Sequence, residues 1–196
     1  MRGMYLDDLL QAAQNYNQML GKKYVFTVGK NKKLYKLELV FTAIDFYHLA
    51  GLHKLDDIPA LRTNASIVFK KILKGKITLD TIKSSHRFSE IEGRIRCLGC
   101  LEHFIDTAND IYKYDVTKAN GSRIVADYLL KGTLGDNINY YFMISFKTQY
   151  VGVSFFSKSG KDYTTNQVKL TILRKEKYEP SSDKVILLYS SPNYVA

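Results

Sequence analysis

The sequence predicts an α+β fold in which N-terminal helices and a small hairpin pack on a C-terminal antiparallel β-meander. Up to residue 109, most apolar residues recur at the three- and four-residue spacing of a buried helix face. From residue 110 onward, β-branched and aromatic residues alternate with polar ones, and turn residues separate the runs. Short connections between consecutive strands favour antiparallel neighbours. We therefore expect one domain over residues 1–196, mainly helical with a hairpin in 1–109 and an antiparallel sheet in 110–190.

The first predicted element is a helix over residues 4–20, where apolar side chains recur at helical spacing and Gly21 follows as a stop signal. A hairpin comes next, with strands over 24–28 and 34–41 and a loop over 29–33. In the second strand apolar residues alternate with charged ones, which is typical of a half-buried strand. The predicted tip of this hairpin is basic and contains Lys30, Lys32 and Lys33.

Three helical segments are predicted in the middle of the chain, over residues 59–74, 79–83 and 89–108. The last of them begins with Ser89 and Glu92, which have the spacing of a capping box. Turn-like segments then separate a series of period-two runs. These runs predict strands near residues 111–116, 123–130, 139–146, 151–156, 168–174 and 185–189.

The composition favours a soluble protein with a polyanionic partner. The 196 residues carry 29 Lys and Arg against 19 Asp and Glu, a formal net charge of +10. This excess favours nucleic acid as the partner, although it would also serve solubility. The sequence shows no signal peptide and no apolar run of membrane-spanning length, so we expect a cytoplasmic protein without a membrane partner. Two cysteines fit a reducing compartment better than a disulfide scaffold.

The stretch FTAIDFYHLAGLHKL, at residues 41–55, contains two of the four histidines. His48 and His53 lie here with Lys54 beside the second, and a histidine next to a cation is common in proton transfer near neutral pH. Structural or solvated histidines are the alternative interpretation. On one strand or helix, the five-residue spacing would point the two rings apart, whereas a turn at Ala50–Gly51 would bring them together. We expect His48 at a strand-to-loop transition.

Within this stretch, FYHLAGL at residues 46–52 resembles the HLxGL-type signature of a nuclease family. The family is the fourth phage group of the barnase–EndoU–colicin–RelE-like (BECR) nucleases, small proteins of phages and mobile elements predicted to cut RNA. The resemblance covers most of the chain and implies the same α+β layout. It also makes His48 the first candidate for a catalytic group, because His48 matches the histidine of the motif.

Two residues of the predicted sheet join the candidates. Arg123 begins a predicted strand, and an arginine on a concave sheet face is suited to bidentate binding of phosphate. Ser154 is a small polar residue in an otherwise apolar strand. The resemblance implies site residues at sheet positions of this kind. The alternatives are a salt bridge from Arg123 to Asp127 and a simple packing role for Ser154.

Cys97, Cys100 and His103 recur at three-residue intervals, which on one helix would place them near the same face. A metal or redox site is conceivable there, but a fourth ligand is not nearby and buried free cysteines are the more common outcome. The carboxylates form adjacent pairs rather than a spaced metal cage, which disfavours a two-metal nuclease. We expect no metal and no cofactor.

These observations predict a toxin-like endoribonuclease that acts without a metal. Such a reaction needs a base for the 2′-hydroxyl proton, an acid for the leaving 5′-oxygen, and cations on the phosphate. The candidates for these roles are His48, His53, Lys54, Arg123 and Ser154. RNA is the expected partner, with an antitoxin or immunity protein as a further one. The alternative is a non-catalytic phage or mobile-element module that binds host RNA or a host protein.

Overall fold

The structure is a computed structural model that describes residues 7–192 and residue 194. Short helices cover most of the first half of the chain, and four single-turn 3₁₀ segments lie between the longer elements. No helix in these residues has both the length and the apolar character needed to cross a membrane. The helices are α1 (Asp8–Asn17), α2 (Ala43–Leu49), α3 (Ala65–Leu73), α4 (Leu79–Lys83), α5 (Glu92–Leu98) and α6 (Leu101–Thr107).

Eight strands form one mixed sheet in the order β1-β2-β6-β5-β4-β3-β7-β8. Because β1 also pairs with β7, seven of the strands close into a barrel-like ring, and β8 lies outside it on the edge of β7. The strands are β1 (Lys23–Lys30), β2 (Lys33–Val40), β3 (Asp110–Lys113), β4 (Tyr128–Leu134), β5 (Asn137–Phe146), β6 (Gln149–Ser157), β7 (Val168–Glu179) and β8 (Lys184–Ser190).

This closed sheet confirms the α+β class but corrects the predicted simple meander. Only β3 to β6 follow one another as a meander, and the hairpin β1–β2 belongs to the same sheet. The hairpin closes the ring through a parallel contact of Leu39 with Tyr150 on one side and an antiparallel ladder with β7 on the other. The long strand β7 makes closure possible, because it pairs first with β3 and then with β1 and β8.

Several predicted boundaries are also corrected. The hairpin turn is two residues long, because Asn31 and Lys32 both take positive φ angles of 49° and 62° and Lys30 pairs with Lys33. The predicted helix over 4–20 appears as α1, capped by Asp7, and residues 4–6 lie outside the described residues.

The longer predicted helices are divided. In the segment predicted over 59–74, α3 begins only at Ala65, because the side chain of Asn64 caps its N-terminus by accepting a hydrogen bond from the amide of Ser66. The segment predicted over 89–108 breaks at Gly99–Cys100 into α5 and α6. Ser89 lies in a 3₁₀ turn and caps neither, since Ile91 precedes α5.

Strand β5 is buried on both faces. Tyr141 and Met143 point into the main core between the helices and the sheet, whereas Tyr140 and Phe142 point into a smaller aromatic cluster. Alternate side chains of a strand lie on opposite faces, so both surfaces of the sheet are covered at this position. The smaller cluster also packs against Phe156 and Tyr163 and supports one wall of the cleft described below.

Candidate functional site

A cleft of about 1020 Å³ lies on the surface of the described residues. It lies between α5, the end of β6 and two connecting segments, residues 121–125 and 157–163. Four of the five residues selected from the sequence line it: His53, Lys54, Arg123 and Ser154. The structure thus brings together residues that are up to about a hundred positions apart in the chain.

The turn at Ala50–Gly51 brings the two histidines together. His48 lies in the last turn of α2, not at a strand-to-loop transition, and a 3₁₀ segment at Leu52–Lys54 follows. Gly51 joins them with φ of 77°, and a Cβ there would lie 2.8 Å from Cγ2 of Ile91. The ring centroids of His48 and His53 are consequently 5.3 Å apart. His48 is exposed beside His53 and does not line the cleft.

The surroundings of His53 favour the neutral form of its imidazole. Its pKa is lowered to about 4, chiefly by partial burial of the ring, and further by the neighbouring His48, Arg94 and Lys54. The residue as a whole is exposed to solvent at the cleft surface. A neutral imidazole with solvent access has a free lone pair, so His53 can accept a proton from a bound ligand.

Lys54 contributes a positive charge next to this base. Its ammonium lies 3.5 Å from a carboxylate oxygen of Glu90, which also pairs with Arg87 at 2.9 Å. Burial, followed by the nearby guanidinium of Arg94, lowers the pKa of Lys54. Glu90 is the one carboxylate among the described residues that line the cleft, against five Lys and Arg side chains. The cleft is therefore electropositive.

Arg94 of α5 is a site residue that the sequence analysis missed. Its Nη1 donates a hydrogen bond of 2.9 Å to Oγ of the buried Ser154, and its guanidinium lies 5.0 Å from the ring centroid of Phe156. Burial lowers its pKa, and it forms no salt bridge with the described residues. In the sequence Arg94 and Arg96 look alike, but Arg96 pairs with Glu92 on the exposed side of the helix.

Ser154 is directed at Arg94 by an irregularity in the sheet. The pairing of β5 with β6 skips a residue, because Phe142 faces Ser154 and Met143 faces Gly152. The extra residue is Val153, and such a bulge changes the direction of the neighbouring side chains. A β-bulge therefore places a hydroxyl at the floor of the cleft, within an apolar strand.

Arg123 lies in an extended loop before β4, which corrects its predicted place on a strand. It is exposed and lines the cleft, and no salt bridge joins it to Asp127 in the described structure. Asp127 instead accepts a hydrogen bond of 2.7 Å from the amide of Ser145. The guanidinium of Arg123 is thus available to a ligand.

The opposite wall is lined by Phe156, Lys158 and Tyr163, and contacts of neighbouring residues hold it in place. Asp162 lies 3.6 Å from the ammonium groups of both Lys131 and Lys158, and it accepts a hydrogen bond of 3.1 Å from the hydroxyl of Tyr140. Lys161 donates to the carbonyl of Ala119 at 3.0 Å and so ties this wall to the loop that precedes Arg123. These contacts fix both loops that border the cleft.

The two cysteines do not form a site with His103. Cys97 lies in the last turn of α5, and its Sγ is 3.1 Å from Oγ of Ser157. Cys100 is exposed at the break before α6. Among residues 7–192 and 194, no group of three or more His, Cys, Asp or Glu residues is arranged to hold a metal ion. The helix break removes the common face on which the three-residue spacing depends.

One comparison with known proteins finds a match. Residues 8–191, nearly the whole chain, match the family model described as phage-Barnase-EndoU-ColicinE5/D-RelE like nuclease 4. No curated protein and no solved structure matches the chain.

Proposed function

The chain belongs to the phage-Barnase-EndoU-ColicinE5/D-RelE like nuclease 4 family, and from this premise we propose that it cleaves RNA in the cleft by metal-independent acid–base chemistry. The family supplies the nuclease class. The choice of RNA and the roles of individual residues are our proposal, and they rest on the side chains that line the cleft.

The observation that carries the proposal is that a proton acceptor and a guanidinium without a salt bridge among the described residues line the same cleft. His53 is neutral and Arg94 is a partly buried guanidinium without a carboxylate partner among the described residues, and both line the same cleft. A charge kept away from water without a counter-ion is costly. A bound phosphate would remove this cost, since guanidinium groups bind phosphate oxygens in a bidentate geometry.

Each group then has a role in a balanced reaction. His53 takes the proton of the 2′-hydroxyl, and the 2′-oxygen attacks the adjacent phosphorus. The bond from phosphorus to the 5′-oxygen breaks, and protonated Lys54 supplies the proton of that leaving group. Arg94, held by Ser154, and Arg123 stabilise the negative charge on the phosphate. The products are a 2′,3′-cyclic phosphate and a 5′-hydroxyl, so no metal-bound water is required.

The test is cleavage of a defined RNA in the presence of a chelator. We expect the wild type to leave cyclic phosphate and 5′-hydroxyl ends, and a substrate with 2′-deoxyribose at the cleaved position to stay intact. His53→Ala should reduce the rate by about 10²- to 10⁴-fold, the usual contribution of a general acid–base group. His48→Ala should cost less, because His48 lies beside His53 and not in the cleft.

Two controls match the variants in residue type and charge. His103→Ala removes an exposed histidine of α6, and Arg96→Ala removes the exposed arginine of α5. Both should cleave like the wild type, whereas Arg94→Ala should be strongly impaired. Equal cleavage by folded His53→Ala and wild-type protein would contradict the proposal. RNA binding without cleavage by the wild type would support the non-catalytic alternative instead.

A further inference from the structure

The two cysteines of the chain border one cavity of about 330 Å³ beside the cleft. The amide of Cys100 donates a hydrogen bond of 2.9 Å to the carbonyl of Cys97, so the two residues close a single tight turn. A turn of this kind holds the Cα atoms of its first and last residues within about 7 Å, and disulfides span Cα separations of about 4.4–6.8 Å. The break before α6 takes His103 away from this cavity but leaves both thiols at it.

The two thiols differ in their access to solvent. Cys100 is exposed at the start of α6, whereas Cys97 is half-buried in the last turn of α5. A small oxidant can therefore reach Cys100 first, and Cys97 is then the nearest thiol to a bond formed there. Disulfides of this kind in a reducing compartment are usually transient and act in catalysis or redox sensing.

A buried amide directs hydrogen-bond donors at the sulfur of Cys97. Nδ2 of the fully buried Asn139 donates to Oγ of Ser157 at 2.9 Å and to Sγ of Cys97 at 3.4 Å. Oγ of Ser157, 3.1 Å from Sγ, can in turn point its own proton at the sulfur. Oδ1 of Asn139 has no hydrogen-bond partner among the described residues. Because hydrogen bonds to a charged acceptor are the stronger ones, these donors favour a thiolate, the form that attacks a disulfide.

Cys97 is also linked to the cleft through α5 and β6. Arg94 donates to Ser154, and Cys97 contacts Ser157, three residues further along both elements. Ser157 and Gly93 border both the cavity and the cleft. Burial lowers the pKa of Arg94, and a negative charge on Cys97 acts in the opposite direction. The thiol and the guanidinium therefore lie one helical turn apart on the same side of α5.

We propose that Cys97 and Cys100 form a reversible disulfide in exchange with a low-molecular-weight disulfide, and that this bond displaces Arg94 and weakens binding of RNA in the cleft. The inference rests on the proposed function, because it concerns regulation of the same cleft.

The exchange has two steps. The Cys100 thiolate attacks one sulfur of the oxidant, whose S–S bond breaks and releases the first small thiol. The Cys97 thiolate then attacks Sγ of Cys100, and the bond from Cys100 to the remaining half of the oxidant breaks. Two protein thiols are oxidised, the oxidant is reduced to two small thiols, and these carry the two protons.

The disulfide changes how α5 contacts β6. Sγ of Cys97 has to leave Oγ of Ser157 to reach Cys100, so the contact at 3.1 Å is lost. The end of α5 is then tied to the start of α6, and Arg94, one turn earlier, no longer keeps its place against Ser154. We expect binding in the cleft to weaken by about two- to tenfold, the effect of losing one ordinary hydrogen bond.

The first test is oxidation of the full chain by glutathione disulfide, followed by intact mass and by titration of thiols in the denatured protein. We expect the mass to fall by two hydrogen atoms, both thiols to disappear, and dithiothreitol to restore them. Cys97→Ser should instead stop at a mixed disulfide on Cys100. A wild type that keeps both thiols, stops at a mixed disulfide or links two copies of the chain would overturn the proposal.

The second test compares binding of a non-cleavable 2′-deoxy oligonucleotide by the reduced and oxidised proteins. The oxidised wild type should bind about two- to tenfold more weakly, the size of one lost hydrogen bond. Cys100→Ser treated with the same oxidant should bind like the reduced wild type. Equal affinities of the two wild-type forms would overturn the proposal.

A readout without RNA separates this proposal from the proposed function. The side-chain Nε–H resonance of Arg94, assigned by its absence in Arg94→Lys, should shift on oxidation. The resonance of Arg174, which pairs with Glu176 on β7, should not. If neither form bound the oligonucleotide, the proposed function would fail, and the Arg94 resonance would still decide this proposal. An Arg94 resonance that oxidation leaves in place would overturn it.

Discussion

His53 and Lys54 are neighbours in the chain, and their surroundings lower the pKa of both. Partial burial and nearby cations lower the pKa of His53 to about 4, whereas the pKa of Lys54 is lowered from the much higher ordinary value of a lysine. One residue can therefore accept a proton while the next donates one. The two pKa values differ because the unperturbed pKa of lysine is far above that of histidine, while burial and Arg94 lower both.

The first prediction at this scale concerns how kcat/KM for RNA cleavage depends on pH. Protonation of His53 removes the proton acceptor, so kcat/KM should fall as the pH decreases through about 4 and should be flat between pH 5 and 7. An ordinary histidine would lose activity around its unperturbed pKa of about 6.5. The measurement is the rate of RNA cleavage at subsaturating substrate, with circular dichroism to confirm folding. An acid limb centred near pH 6.5 would contradict the role of His53.

At the scale of elements, two single residues each fix the end of a helix: Gly51 after α2 and Lys175 at the end of α6. Gly51 reverses the chain after α2 and places His53 in the cleft. At the far end of α6, the fully buried Lys175 of β7 donates hydrogen bonds to the carbonyls of Ile105, Asp106 and Ala108 at 3.0, 2.7 and 2.9 Å. These carbonyls have no helical partner, so a side chain of the sheet completes the helix.

Gly51→Ala should destabilise the fold by about 1–3 kcal/mol, because alanine is strained at a φ of 77° and its Cβ would collide with Ile91. Cleavage should fall as well, because the turn positions His53. Gly75→Ala is the matched control, since Gly75 has a φ of 66° but open space around it. The measurement is urea denaturation. Equal losses for the two variants would show that the contact with Ile91 is unimportant.

Lys175→Met should cost about 2–4 kcal/mol, because the apolar side chain fills the site but leaves buried carbonyls without donors. Lys169→Met, at an exposed lysine paired with Asp110 at 2.6 Å, should change stability by less than about 1 kcal/mol. Thermal and urea unfolding of the two variants would measure the difference. A Lys175→Met protein as stable as the wild type would show that these hydrogen bonds add nothing to stability.

For the molecule as a whole, charge is distributed unevenly. The described residues that line the cleft include five Lys and Arg side chains and one carboxylate, whereas near β8 Lys23 pairs with Glu38 and Arg174 pairs with Glu176. The closed sheet separates the two surfaces, since β8 and Ser154 lie across the ring from each other. A polyanion should therefore bind on one side of the protein.

Binding of a non-cleavable 2′-deoxy oligonucleotide should weaken steeply with salt, because bound phosphates release counterions. Arg123→Ala should lower the log–log slope by about 0.7, the value for one contact to a single strand. Lys184→Ala, on the opposite side, should leave the slope unchanged. Titrations at several salt concentrations would measure this. The same slope for Arg123→Ala and wild type would remove Arg123 from the phosphate contacts.

The sequence alone determined the α+β class, most strand positions, the family and four residues of the cleft. Each of these depends on a local signal. Periodicity predicted the strands, and the FYHLAGL motif indicated the family and a candidate site in residues 41–55. His48 and His53 are only five residues apart, so the sequence also indicated that a turn at Gly51 could bring their side chains together.

Only the tertiary structure decided which strands close the sheet, which histidine lies in the cleft, and that Arg94 belongs to it. Ring closure requires β1 to meet β7, about 150 residues later, and no local pattern encodes that pairing. Arg94 differs from Arg96 only through the packing of α5 against Ser154 and Phe156. Burial lowers the pKa of both His53 and Arg94, and burial exists only once distant segments have packed together.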